Sequence, residues 1–284
     1  MRSNNPVFTR SEEFNRASSN AYGNQTYAGG GQNYPGYGEP GTDPSQWGTG
    51  TPGGSVDQGR MTVDSVVQKT AISILLVFAA AFATWWWVGD VSTTADLGQV
   101  YMLAMLGAGG AFILSLVNSF KRVISPPLVM AFALAEGVAL GAISAVFEAQ
   151  YPGIVMSAVL GTFAAFAGTL AAYKVLDIKV GDKFRKGVVA AMFGMVGLGL
   201  LSLVLSLFGI QSPLYGNGPI GFVFALAGLV LGIFMLILDF DFVEQGVAAG
   251  LPERESWRAA FGLTVSLVWI YTNLLRILAI LRGD

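Results

Sequence analysis

Seven long apolar runs, separated by short polar turns, fill the chain from residue 70 to residue 281. They cover 70–88, 97–120, 126–150, 154–173, 187–208, 219–238 and 259–281. A helix needs about 20 residues to cross a hydrocarbon core of about 30 Å, and every run meets that length. The pattern predicts an all-α polytopic membrane protein, with seven transmembrane helices in a bundle over residues 63–284. The turns leave no room for an extramembrane catalytic domain. No tandem repeat or inverted repeat shows.

Residues 1–62 are a different material. The stretch AYGNQTYAGGGQNYPGYGEPGTDPSQWGTGTPGGS is rich in Gly, Pro, Ser, Asn and Gln, with spaced Tyr22, Tyr27, Tyr34 and Tyr37. It has too little aliphatic surface to offset the entropy of ordering, so a disordered cytoplasmic tail is expected. It is either a plain solvated tether or a segment that associates with itself or binds protein partners the sequence does not identify. The first apolar run begins too late to be a cleaved signal peptide.

Composition narrows the chemistry. Charged residues make up 12 % of the chain, against about 25 % in soluble domains. There is no cysteine and no histidine. Disulfide frameworks, thiol nucleophiles, imidazole bases and the commonest metal ligand are thereby removed. No nucleophile–base pair or metal cluster is left to support an enzyme, and neither a cofactor nor a nucleic-acid partner is expected. The expected surroundings are the lipid bilayer.

The net charge of −2 hides a strong asymmetry. With the N-terminus cytoplasmic, 14 of the 16 Lys and Arg residues fall on inside segments and none in the outside turns. An imbalance of that size sets the topology. It also puts Trp85, Trp86 and Trp87 at the outer interface, where amphipathic rings belong. The C-terminus then lies outside if the last run crosses fully, or inside if that run is a re-entrant hairpin.

Charges at membrane depth cost at least a few kcal/mol and survive where they face protein or water. Glu136 lies ten residues beyond Pro126, about 15 Å into its span and near the midplane. It is either a neutral glutamate of helix packing or part of a proton or cation relay. Gly137 and Gly141 follow as a pair that lets helices approach closely, and Gly228 and Gly232 repeat the spacing. Asp239 and Asp241 close the sixth run. Positions i and i+2 point to different helix faces, so Asp239 is expected to enter the bundle. Asp241, with Glu244, is expected to meet cytoplasmic water as a solvated helix end. Lys121 and Arg122 lie at a depth suited to pairing with Asp239. In the last run, Thr272, Asn273 and Arg276 lie on neighbouring helix positions, and Arg276 is expected to snorkel to the interface. Thr264 and Ser266 read as hydroxyls that tie helices together. The loop KVLDIKVGDKFRK is basic enough to touch anionic lipid, though topology alone accounts for it.

AFALAEGVALG in the third run, LDFDFVEQG in the sixth and AAFGLTVSLVWIYTNLLRIL in the seventh resemble, in that order and spacing, the Bax inhibitor-like family. The family is also called the transmembrane Bax inhibitor motif proteins. The resemblance covers about residues 61–283 and is nearest to the longer bacterial members, which implies a bacterial plasma membrane. It also implies six helices around a central one and a pH-sensitive calcium leak. The implied sensor is two aspartates of the last two helices sharing a proton. Asp239 matches the first, which would also make it the metal-facing residue. The second falls near Ser266, where this chain has no carboxylate, and Asn273 stands where long relatives carry an acid. A basic residue that pairs with the sensor in some members falls near Lys121 or Arg122. The shared-proton mechanism therefore does not carry over, and a lone carboxylate is a poor site for calcium, which takes six to eight oxygens.

The reading that follows is an ion-leak or channel-type protein passing calcium, protons or another cation. Asp239 is its principal carboxylate, and Lys121 or Arg122 pairs with it to hold the bundle closed. The rivals are a proton-coupled small-solute transporter using Glu136 and a non-conducting scaffold or regulator.

Overall fold

Thr62 and Ser65 start the first helix. Each donates its backbone N–H to the other's hydroxyl at 3.1 Å, so two of the donors that a helix start leaves unpaired are satisfied reciprocally. In the computed structural model, which describes residues 59–283 apart from 90, 92, 93 and 211, this helix, α1, runs Val63–Val88. It is followed by α2 (Thr94–Phe120), α3 (Pro126–Gln150), α4 (Ile154–Val175), α5 (Asp182–Leu207), α6 (Pro219–Ala248) and α7 (Glu255–Arg282). A 3-10 turn at Pro213–Tyr215 joins α5 to α6. All seven are long and apolar enough to cross a bilayer. No strand occurs among the described residues, although Arg60 and Pro252 form an isolated antiparallel bridge. The expected disordered tail falls almost wholly outside the described residues.

Most helices outrun the apolar stretches that predict them. α6 continues ten residues past 238, and α1 begins seven residues before 70. Apolarity marks the part of a helix that sits in lipid, whereas caps and polar contacts outside the lipid set where it stops. Thus α5 begins at Asp182, in a stretch that reads as polar loop, with an acid in its first turn, where the helix dipole favours it. α7 is one continuous helix of 28 residues; the alternative of a re-entrant hairpin is not what forms.

α7 is the central element. Of its apolar stretch 67 % is buried, against 11 % in α5, and it packs on α1, α3, α4 and α6. The expectation of six helices around a central one needs correction here, because α2 packs chiefly on α3 and α5 on α6. Neither α2 nor α5 shows more than weak backbone contact with α7. Glycines set the closest approach: a Cβ on Gly107 of α2 would stand 2.6 Å from the Ala139 nitrogen of α3. On the other face of α3, Gly137 and Gly141 lie directly against the α1 backbone at Val77 and Ala81.

The segment before α1 is clamped to the α6–α7 connection. Met61 donates its N–H to the Leu251 carbonyl at 2.7 Å, and Glu253 donates to the Gly59 carbonyl at 2.6 Å. The Met61 side chain is 1 % exposed and covers Gly246. Below it Lys69 binds Glu253 at 2.7 Å, and the Ser65 and Ser256 hydroxyls meet at 2.6 Å. The last residues of the segment read as tail, 59–62, are thus held against the bundle, and a truncation starting at Met61 would cut the Gly59–Glu253 contact. Met61→Ala is expected to lower stability by about 2–5 kcal/mol, the usual cost of emptying a buried Met site. Thermal melting in detergent checks this, alongside a truncation starting at Gln58, which should melt like the full chain.

Candidate functional site

The seam between α6 and α7 brings Asp239 of α6 together with Ser266, Trp269 and Asn273 of α7. Asp239 points at bare backbone: a Cβ on Gly262 would stand 2.7 Å from its Oδ1. The Ser266 hydroxyl, one turn further along α7, donates to Asp239 Oδ2 at 2.5 Å. Ser266 itself is 1 % exposed. Farther from the basic end, the Trp269 indole N–H donates to the Gly228 carbonyl at 2.8 Å. The Asn273 amide donates to the Trp269 carbonyl at 2.8 Å, and its oxygen lies against Gly228. The bare surfaces of Gly228 and Gly262 let these side chains occupy the space between the two helices.

Four ion pairs occur among the described residues: Lys69–Glu253, Asp177–Lys179, Arg185–Asp241 and Glu255–Arg258. Asp239 enters none of them. This corrects the expected pairing with Lys121 or Arg122, both of which are exposed. The reason is placement. Both follow the end of α2, which lies on α3 and away from the α6–α7 seam. Their loop is held by α7 instead, Arg254 donating to the Ile124 carbonyl and Arg258 to the Arg122 carbonyl.

Asp241 was expected to meet water and is instead 6 % exposed. It accepts Arg185 Nη2 at 2.7 Å and Gln245 Nε2 at 2.8 Å. Because α5 begins early and α6 ends late, Arg185 reaches across to cover it. Glu244 is exposed, as expected, and accepts the Tyr173 hydroxyl at 2.6 Å. The i, i+2 rule separates the two aspartates correctly, but the face given to Asp241 is closed by α5. Sequence reasoning missed Arg185 and Tyr173, since each reads locally as an ordinary interfacial residue. Arg185→Met is expected to cost about 1–3 kcal/mol by leaving the buried Asp241 carboxylate with Gln245 alone. Thermal melting against wild type measures it.

Glu136 is partly buried and enters none of the four ion pairs. It shares a face of α3 with Phe132 and Leu140, one turn to either side. Phe132 packs edge-on against Phe261 of α7 at 5.0 Å, so Glu136 shares the side of α3 that meets α7. Ser266, Asn273 and Gly262 occupy the α6 side of α7, and no hydrogen bond or ion pair found among the described residues joins Glu136 to Asp239. At the α5–α6 connection Arg276 donates to the Leu214 carbonyl at 3.0 Å and lies 4.7 Å over the Tyr215 ring. Burial pushes the Tyr215 hydroxyl up, opposed by the Arg276 charge.

The chemistry open to the seam follows from its donors. Asp239 and Ser266 offer one carboxylate and one hydroxyl, fewer oxygens than calcium coordination requires. Among the described residues no group of three or more Asp or Glu side chains is placed to hold a metal. A proton is the ion this pair can exchange unaided.

A family model described as Bax inhibitor 1 like matches residues 5–283. No curated protein matches the chain.

Proposed function

The chain belongs to the Bax inhibitor 1 like family, and we propose that it is an ion-leak or channel-type protein of the bacterial plasma membrane. In this reading it passes calcium or another cation under control of protonation at Asp239. The observation that carries the reading is the Asp239–Ser266 contact, a carboxylate in the seam of the central helix with a hydroxyl for partner and no ion pair. Ionised, Asp239 accepts the Ser266 proton and ties α6 to α7. Protonated, it loses its charge and can itself donate, so the seam exchanges one hydrogen-bond pattern for another. Arg185–Asp241 and Lys69–Glu253 hold the basic end beside it. Opening a path along the seam requires those contacts to part or slide.

The basic residues favour a cytoplasmic basic end, N-terminus inside and C-terminus outside. The test is full-length protein in liposomes, with calcium, sodium and proton flux measured against pH. Cation flux that changes with pH and exceeds that of protein-free vesicles is expected. Its absence for all three ions would favour a non-conducting scaffold. A second reading, a proton-coupled small-solute transporter, draws on Glu136, a mid-span carboxylate outside the described ion pairs. Proton flux that appears when a solute is added would favour it.

A further inference from the structure

In the half of the bundle away from the cluster of basic residues, α1 and α4 lie without close backbone packing and meet through the Phe78–Phe163 stack, and an apolar crevice of about 460 Å³ opens between them. Its floor is Leu267, Val268 and Tyr271 of α7, with Gly141 and Ser144 of α3 behind. Ile74 and Trp85 mark its ends on the α1 wall. Eleven residues of helix span about 16 Å, half of a hydrocarbon core of about 30 Å. The crevice is one leaflet deep.

Its lining is almost wholly apolar, and most of its few polar groups bond within the protein. The Ser144 and Tyr271 hydroxyls bond each other at 2.6 Å. Glu148, at the outer end, accepts the N–H groups of Gly153 and Val155 at 2.5 and 3.1 Å. What remains to an occupant is apolar contact. Water finds few partners in such a space, and leaving it empty forfeits dispersion along every wall. Phe78 and Phe163 stack across the slot at 6.4 Å and 22°, which narrows it. A helix is about 10 Å across and does not enter a slot bridged in this way. A single polymethylene chain does.

We propose that this crevice holds one acyl chain of a membrane lipid from the leaflet away from the basic end, with its headgroup at the level of Trp85 and Glu148. The chain would lie directly against the central helix, reached between two helices that leave α7 open to the bilayer. The inference does not rest on the flux reading.

The test reconstitutes the full chain in phosphatidylcholine vesicles carrying a photoactivatable diazirine on the acyl chain, then maps the labelled residues after irradiation. Labelling at Val268 and Tyr271 is expected, as well as at the exposed Leu160. Val159→Phe should fill the crevice and abolish labelling of the α7 floor while Leu160 stays labelled. Phe78→Trp, from the middle of the opposite wall, should do the same, and thermal melting identifies a variant that has simply failed to fold. A wild-type floor that stays unlabelled while Leu160 is labelled would overturn the proposal. So would floor labelling that persists in both folded variants, or a cross-link through the crevice between two copies of the chain.

Discussion

Asp239→Asn is expected to yield a protein that folds normally and whose ion flux no longer changes with pH. The amide matches the carboxylate in shape, and its oxygen can still accept the Ser266 proton at the 2.5 Å contact. The α6–α7 seam is therefore kept, while charge and titration are removed together. Asp239 has no partner among the four described ion pairs, so the substitution strands no buried cation and avoids the cost that usually follows such a change. The wild-type profile should show a single step, because a serine cannot share a proton in the way a second carboxylate does. Ser266→Asp places that second carboxylate at hydrogen-bond distance and should split the step in two while strengthening calcium binding. Flux against pH in liposomes measures all three proteins. An Asn variant with the wild-type pH profile would move the sensor elsewhere, with Glu136 the next residue to change.

The largest structural effect is expected from Gly137→Leu. A Cβ there would stand 2.5 Å from the Val77 carbonyl and 2.6 Å from the Ala80 Cβ. The first obstacle is backbone, so α1 and α3 must separate along the contact. Overpacking ordinarily costs about 1–3 kcal/mol and occasionally more. Here the loss should lie at or above that range, since helices in lipid are held by close approach with little hydrophobic drive between them. Loss of monodisperse, cooperatively melting protein is the expected outcome. Gly168→Ala is the control, because nothing lies within 4 Å of a Cβ at that position. Replacing an interior helical glycine there should be neutral or stabilising by up to about 1 kcal/mol. If Gly137→Leu melts like wild type, α1 and α3 are not in the contact described.

Several features follow from the residues alone. Each transmembrane helix satisfies its own backbone and must be apolar over a fixed length, so α3 is legible from Pro126 to Gln150 without knowledge of any other segment. The Thr62–Ser65 start and the opposite faces of Asp239 and Asp241 are likewise local properties, set by three- and two-residue spacings. Partners are a different matter. A helix apolar on all sides carries little periodic signal to say which face meets which neighbour. Nothing local therefore distinguishes Lys121, exposed beside α3, from Arg185, which reaches Asp241 from α5. The burial of Met61 depends on Gly246, nearly two hundred residues away in sequence. The sequence by itself determined seven apolar helices, the uneven spread of basic residues between them and the few polar groups within them, because each apolar segment is set by its own residues. Only the tertiary structure decided that Asp239 meets Ser266, that Asp241 is covered and that α1 and α4 stand apart over a crevice, because those outcomes depend on how the helices pack together.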